Sequence, residues 1–239
     1  MNYYFITGTS SGIGQALATE LLKDENNQVF GISRRQNIMD VNFTPITLNL
    51  ANIQEVNAFN FPNLENAEKV VLVNNAGQIG DIKPIGSSNN DAIADLFTVN
   101  VTAVAIFMNK FIDTYADLSV EKTILNVSSG AGKNPIEGWA TYCGSKAAVD
   151  LLSLTTFTEQ KRAKNPVLIY SIAPGVVDTE MQASIRASNV NDFTRHKHFV
   201  DLKTNNELTS PTEVAEKYAM ILNQPENYTE CIFSLRDVK

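Results

Sequence analysis

Residues 7–14 read TGTSSGIG, three glycines and four hydroxyl side chains in eight positions, between the apolar run YYFI and the segment QALATELL. This stretch does most to limit the possible folds. The apolar run is strand-like, and Ile13, Leu17 and Leu21 recur at spacing four with Glu20 and Lys23 elsewhere on the turn, so a helix with one apolar stripe follows. A strand that turns directly into a helix is the first half of a βαβ unit. The glycine turn itself has two readings. It is a plain connection, or it is a place where Gly8, Gly12 and Gly14 let the backbone bend and a pyrophosphate reach the helix N-terminus with no Cβ in the way.

The alternation continues. Short apolar or β-branched runs recur at Tyr3 to Thr7, Gln28 to Ser33, Ile46 to Leu48, Lys69 to Asn74, Thr123 to Val127, Val167 to Ile172 and Cys231 to Leu235, with helical patterns between them and no internal repeat. This predicts an α/β fold: a doubly wound, three-layer α/β/α arrangement of Rossmann type around a seven-stranded parallel sheet. A chain of 239 residues can hold this as one domain, 1–239. The stretch from about 178 to 210 breaks the rhythm, being long and polar with scattered Met181, Ile185, Phe193, Phe199 and Leu202. It reads as a lid or substrate loop, with a disordered insertion as the alternative.

Composition removes several functions. A formal charge of −7 and a pI near 4.9 disfavour nonspecific binding to nucleic acid or an anionic membrane, since either needs a basic face. The two cysteines, Cys143 and Cys231, have no metal-ligand spacing and read as buried thiols. His196 and His198 lack acidic or cysteine companions at ligand spacing and read as a solvated loop, so no metal is expected. With no signal sequence and no run long enough to cross a bilayer in evidence, the expected location is the cytoplasm.

Further motifs follow in order: NNAG at Asn74 to Gly77, Asn100, NVSSGAG at Asn126 to Gly132, YCGSK at Tyr142 to Lys146, and PGVVDT at Pro174 to Thr179. Together with the spacing T-G-x-x-x-G-x-G at the first turn, the ordered set resembles the short-chain dehydrogenase/reductase family. The resemblance implies a nicotinamide cofactor lying against Gly8, Ser10, Ser11, Gly12, Ile13 and Gly14, then Ser33, Arg34 and Arg35, Asn49 and Leu50, and Asn75, Ala76 and Gly77. It also implies contacts from Tyr142, Lys146, Pro174, Gly175, Val177 and Thr179. The catalytic set it implies is Asn100, Ser129, Tyr142 and Lys146, with Lys146 on the nicotinamide ribose and Asn100 fixing a water in a proton relay.

The residue chemistry is consistent with those roles. Tyr142 and Lys146 are four apart, so on a helix their Cβ atoms are about 6 Å apart. A nearby ammonium favours the phenolate and is expected to draw the tyrosine down from its ordinary value near 10. Tyr142 would then give its proton to a carbonyl oxygen, with Ser129 stabilising the charge that develops there. An ordinary amphipathic Tyr–Lys pair is the alternative; Asn100 and Ser129 at family spacing weigh against it.

The end of the second strand, VFGISRR, bears on the cofactor. NAD-dependent relatives place an acid there for the ribose hydroxyls, whereas this chain has Ser33, Arg34 and Arg35. Guanidinium groups favour a phosphate, which points to NADPH; the alternative is a solvated charge pair. Asn49 stands where the family commonly has an aspartate for the adenine amino group, and its amide oxygen can accept the same bond.

The stretches KNPIEGWATYCGSKAAVD and APGVVDTEMQASIR resemble the sepiapterin reductase group and its bacterial benzil reductase members. This implies reduction of a small aromatic or vicinal dicarbonyl substrate. Trp139 either lines a pocket for an aromatic ketone or packs under the loop. The final strand carries Ser234 where the pterin-anchoring aspartate would stand, and Asp237 only later, so a diketone fits better than a pterin. A ketoacyl carrier-protein reductase would need a basic docking rim, and an inactive NADP-binding sensor would be expected to lack part of the catalytic set. The segment from Ala92 to Met108 is apolar nearly all round, as is the helix carrying Ala147 to Leu154. Relatives pair two such helices across a two-fold axis, which implies a homodimer, or a homotetramer built from it, that a charge at Ile106 or Phe107 would weaken.

Overall fold

The computed structural model describes residues 1–238. Seven strands run in chain order as β1 (Asn2–Thr7), β2 (Asn27–Ser33), β3 (Phe43–Thr47), β4 (Lys69–Asn74), β5 (Glu121–Val127), β6 (Leu168–Ala173) and β7 (Ile232–Ser234). All pair in parallel, in the order β3-β2-β1-β4-β5-β6-β7. The chain builds outward from β1 to β3 and then returns to lay β4 on the other side of β1. That reversal opens a crevice at the carboxyl ends of β1 and β4, where doubly wound sheets bind ligands.

The two faces of the sheet are separately buried. On one, Tyr4 and Ile6 of β1 and Val71 and Val73 of β4 join Leu17 and Leu21 of α1 (Gly12–Leu21). They meet Val214, Tyr218 and Ile221 of a late helix, Pro211–Asn223. On the other, Phe5, Val70, Leu72 and Ile124 meet α2 (Ile53–Ala58) through Val56, α4 (Ala103–Thr114) through Phe107 and Phe111, and α5 (Ala140–Gln160) through Val149. Phe61 is edge-on to Phe5, Phe107 and Phe111 with ring centres 5.0, 5.8 and 5.5 Å apart, so this layer is an aromatic lock. Each inner strand alternates between the two faces. That is why the strands read as unbroken apolar runs.

Sequence and structure differ in four places. β3 begins earlier than its apolar signal because it is an edge strand, which tolerates Pro45. Residues 178–210 are no open loop: α6 (Glu180–Arg186) and α7 (His196–Thr204) form there, and Ile185, Phe193 and Phe199 are buried. The helix from Asn90 to Thr114 is, against expectation, long and apolar enough to cross a bilayer by length and composition. It divides into α3 (Asn90–Phe97), a π-helical turn Thr98–Thr102, and α4, which packs on the sheet through Phe107 and Phe111. Finally, Cys143 is half-exposed, its thiol 3.8 Å from the Asn134 carbonyl; Cys231 is buried as expected.

The last long helix, α8 (Pro211–Asn223), precedes β7 and starts with a full capping box in which the Ser210 hydroxyl accepts from Glu213 N at 3.2 Å and the Glu213 carboxylate accepts from Ser210 N at 2.8 Å.

Candidate active site

A cleft of about 780 Å³ opens at the carboxyl edge of the sheet, over the β1/β4 crevice. Its first wall is the glycine turn. Gly8 and Gly12 have φ of +77° and +59°, the left-handed region that favours glycine. A Cβ on Gly14 would lie 2.4 Å from the Gly8 carbonyl oxygen, so α1 can approach the turn only without a side chain there. Ser11 is the N-cap of α1, yet its side chain caps no N–H; by contrast α2, α3 and α8 are capped by Asn52, Asn89 and Ser210. The first-turn N–H groups of α1 thus face the cleft unanswered by a side chain, an electropositive end suited to phosphate.

Thr7 ties this turn to the motif after β4. Its hydroxyl accepts from Asn75 N and Ala76 N, both at 3.0 Å, while Asn75 Nδ2 donates to the Thr7 carbonyl at 2.9 Å. Gly77 comes next on the cleft wall, and a Cβ there would stand 3.4 Å from Asn100 Oδ1 and 3.7 Å from Lys146 Nζ. Thr7 was overlooked as a functional residue in the sequence. The available signal was a hydroxyl at the last position of the first strand, facing its neighbour.

The end of β2 forms the second wall. Ser33 is buried and hydrogen-bonds the Arg35 carbonyl, while Arg34 and Arg35 are exposed on the cleft edge; neither is in an ion pair among the described residues. Gln36, also unforeseen, fixes the bend by donating to Gly31 O and Ile46 O, each at 3.1 Å. Asn49 and Leu50 lie on the same wall. The Asn49 amide oxygen, expected to serve adenine, accepts from Ala51 N at 3.2 Å, because the chain turns there into α2. That interaction occupies one of its two lone pairs.

Ser129, Tyr142 and Lys146 lie on the third wall, and Asn100 is buried behind it. Asn100 sits in the π-helical turn, its Oδ1 accepting from Gln78 N at 2.9 Å and its Nδ2 donating to Gln78 O at 2.8 Å and Ser145 Oγ at 3.2 Å. Ser145 in turn donates to the Tyr142 carbonyl at 2.8 Å. Ser129 follows β5, its hydroxyl accepting from Ala131 N at 3.2 Å. Lys146 Nζ donates to Val127 O at 2.8 Å and stands 5.8 Å from the centre of the Tyr142 ring.

The electrostatics differ from expectation. Burial raises the Tyr142 phenol to about 12, only partly offset by the Ser129 hydroxyl. Burial also lowers the Lys146 amine to about 8, against the pull of Asp150. Desolvation decides both shifts: each group is shielded from water, and the lost hydration of its charged form is the largest cause. At neutral pH the phenol carries its proton and the amine is mostly charged.

The fourth wall is the lid. Trp139 stacks on Phe193 with ring centres 5.2 Å apart, meets Tyr142 edge-on at 5.6 Å, and lines the cleft, so it both packs under the 178–210 segment and faces the pocket. His196 Nε2 bonds the Arg186 carbonyl at 2.9 Å, joining α7 to α6, and His198 borders the cleft; the solvated loop expected for this pair is therefore replaced by a packed helix. Pro174, Gly175, Val177 and Thr179 lead from β6 to α6 along the cleft. Val177 pairs with Thr209, and Lys203 bonds Asp178 at 2.6 Å, so the lid is fastened at its base. Ser10 and Ile13 line the glycine side, and Ser234, Arg236 and Asp237 the far end past β7.

A family model described as short chain dehydrogenase matches residues 2–190. The chain is 36% identical over 239 residues to a benzil reductase ((S)-benzoin forming) of Bacillus cereus, covering 95% of this chain and 96% of that protein. It is 29% identical to the sepiapterin reductase of Meriones unguiculatus over 68% of this chain and 62% of that one. Among solved structures, a short chain dehydrogenase/reductase from Saccharomyces cerevisiae has the same fold, with a TM-score of 0.85 at 24% identity over 100% of this chain and 97% of that chain.

Proposed function

The chain belongs to the short-chain dehydrogenase/reductase family and is an oxidoreductase acting on carbonyl and alcohol groups; from that premise we propose that it is an NADPH-dependent reductase of aromatic or vicinal dicarbonyl compounds. The observation that carries this reading is a protonated, buried phenol, Tyr142, set against Ser129 in a cleft that Trp139 and Phe199 wall on the lid side. Similarity to a benzil reductase over nearly the whole chain supports the substrate class.

The site fits a dinucleotide phosphate. The cradle at Gly8, Gly12 and Gly14 is one a Cβ would fill, and α1 begins there without a side-chain cap. Arg34 and Arg35 at the cleft edge suit the 2′-phosphate, Asn49 and Leu50 the adenine, and Asn75 to Gly77 with Lys146 the nicotinamide ribose side. Pro174, Gly175, Val177 and Thr179 would close over it. Bound NADPH supplies a hydride to the carbonyl carbon. Tyr142 holds the proton for the carbonyl oxygen at its Oη, and Ser129 Oγ donates a hydrogen bond to that oxygen as it gains charge. Lys146, charged at neutral pH, stabilises the phenolate left behind. Lys146 can pass a proton to that phenolate, and a water beside Asn100, whose side chain is held by Gln78 and Ser145, would then return a proton to the neutral amine. The Trp139–Phe193–Phe199 stack keeps bulk water off the phenol.

NADPH consumption with benzil, set against acetoacetyl thioester and no substrate, tests the substrate reading. Benzil-dependent oxidation well above both is the expected result. Preference for the thioester would assign the chain to ketoacyl reduction, and no turnover of either would favour a cofactor-binding sensor.

We also propose a homodimer through the Asn90–Thr114 helix and α5, with one change in the residues used. Phe107 lies inside the subunit, 1% exposed against Phe59 and Phe61, and Ile106 packs partly on the same core; a charge at Phe107 would unfold the monomer. On these helices the large apolar side chains left exposed are Phe97 of α3 at 37% with Leu151 and Leu154 of α5 at 66% and 42%. Leu151→Glu is expected to shift a sedimenting dimer at micromolar concentration toward monomer with little change in melting temperature. A wild type that sediments only at monomer mass overturns the proposal. A cytoplasmic enzyme working on small carbonyl compounds completes the proposed picture.

A further inference from the structure

One buried carboxylate in the cleft has no part in the reaction as derived. Asp150 is 7% exposed, lines the cleft, and lies one helical turn beyond Lys146 on α5. Its Oδ1 accepts from the Ser171 hydroxyl of β6 at 2.7 Å. Its Oδ2 is tucked under the turn at 130–132, where a Cβ on Gly132 would come within 2.8 Å of it and 3.0 Å of the Lys146 backbone. Lys146 is equally enclosed, at 6% exposure, and its one hydrogen bond to protein among the described residues goes to the uncharged Val127 carbonyl. The two groups make no direct ion pair among the described residues; one helical turn apart and both buried, they interact through the protein interior, where screening by water is weak.

We propose that Asp150 is the counter-charge that keeps the Lys146 side chain an ammonium inside the cleft, a positioning residue that acts through Lys146 and not on substrate. The inference rests on the proposed role of Lys146 as the charged group beneath the cofactor ribose. Two further observations support it. An isolated buried amine tends to give up its proton, and Asp150 is the group that opposes this at Lys146. Burial, and after it the same carboxylate, raises the Cys231 thiol to about 11. The other groups around the pair are known. Tyr142 shares the helix and is protonated at neutral pH. β5 and the π-helical turn contribute the Val127 carbonyl and Asn100, both uncharged, and α3 meets α5 near Phe97. Lys133, Arg236 and Asp237 border the cleft farther out, where solvent screens them.

The test uses Asp150→Asn, which keeps an oxygen for the Ser171 hydroxyl and removes only the charge. Asp150→Ser is a second, smaller replacement should the first fold poorly, and Ser171→Ala removes the hydrogen bond while keeping the charge. NADPH affinity is followed from pH 7 to 10 through the fluorescence of Trp139, the single tryptophan, and kcat/KM for benzil is measured in parallel. In the wild type, affinity falls as Lys146 loses its proton. In both Asp150 variants the midpoint of that fall is expected to move down by about one pH unit or more, the shift a lost opposite charge produces. Near the wild-type midpoint this weakens binding several-fold, while at pH 7 the loss is smaller. Ser171→Ala should leave the midpoint in place. A midpoint unmoved in the Asp150 variants, or a loss by the same factor at every pH, overturns the proposal and leaves Asp150 a packing residue. A downward midpoint for NADPH with benzil inert would reject the dicarbonyl reading and uphold the role of Asp150.

Discussion

Tyr142→Phe is expected to lower turnover at least about 100-fold while NADPH still binds within a few-fold of the wild-type affinity. The substitution removes one oxygen. The ring stays, and with it the edge-on contact to Trp139 and the place of residue 142 in the lid-side cluster. Because the phenol is buried and held to about 12, it is a full proton donor at neutral pH, and no other acidic hydrogen on Ser129 or Asn100 comes near it in strength. Steady-state turnover with benzil, cofactor affinity and a melting curve form one experiment. Turnover within a few-fold of wild type would show that another group supplies the proton.

The second large effect concerns the cofactor. Arg34→Asp with Ser33→Asp should shift the proposed preference for NADPH toward NADH. Loss of a charge-assisted bond to the 2′-phosphate, worth about 1.5–3 kcal/mol, converts to roughly 10- to 100-fold, and like-charge repulsion adds to it. Arg34 is exposed and makes no ion pair among the described residues, so its replacement has little to disturb. Ser33 is buried beside Thr9, whose hydroxyl is 3.4 Å away, so the Arg34 single variant is the control for any loss of stability. The ratio of kcat/KM with the two cofactors is the readout. An unchanged ratio would mean that Arg35 or another group reads the phosphate.

Much of the scaffold is legible in the sequence because parallel strands buried on both faces must be apolar throughout, and that pattern survives any rearrangement of neighbours. The ends of strands hold less information: β3 extends over Pro45 because it pairs on one side only. The lid was misread for a physical reason. Ile185, Phe193 and Phe199 are sparse in a polar stretch, and they become a core only when Trp139 and Tyr142, far away in sequence, come beneath them. Phe107 shows the converse, since a helix that is apolar all round does not reveal which side meets the sheet. Where the motif residues gather was readable from their order. Their electrostatics were not, because the Tyr142–Lys146 spacing fixes proximity but says nothing of how completely water is excluded. Asp150 and Thr7 carry no marked motif, and their partners Ser171 and Ala76 are distant in the chain.

The π-helical turn at Thr98–Thr102 sets stability and activity at odds. Such a turn holds one residue more than regular helical winding needs, at some cost in backbone regularity. Removing a single residue between positions 98 and 102 would let α3 and α4 wind as one regular helix. It would also rotate everything before the deletion by about 100° relative to α4. Where the deletion falls after Asn100, that side chain would turn away from Gln78 and Ser145. Libraries of single-residue deletions screened for soluble expression alone would therefore accept, in this segment, chains in which the helix is intact and the proton path is cut.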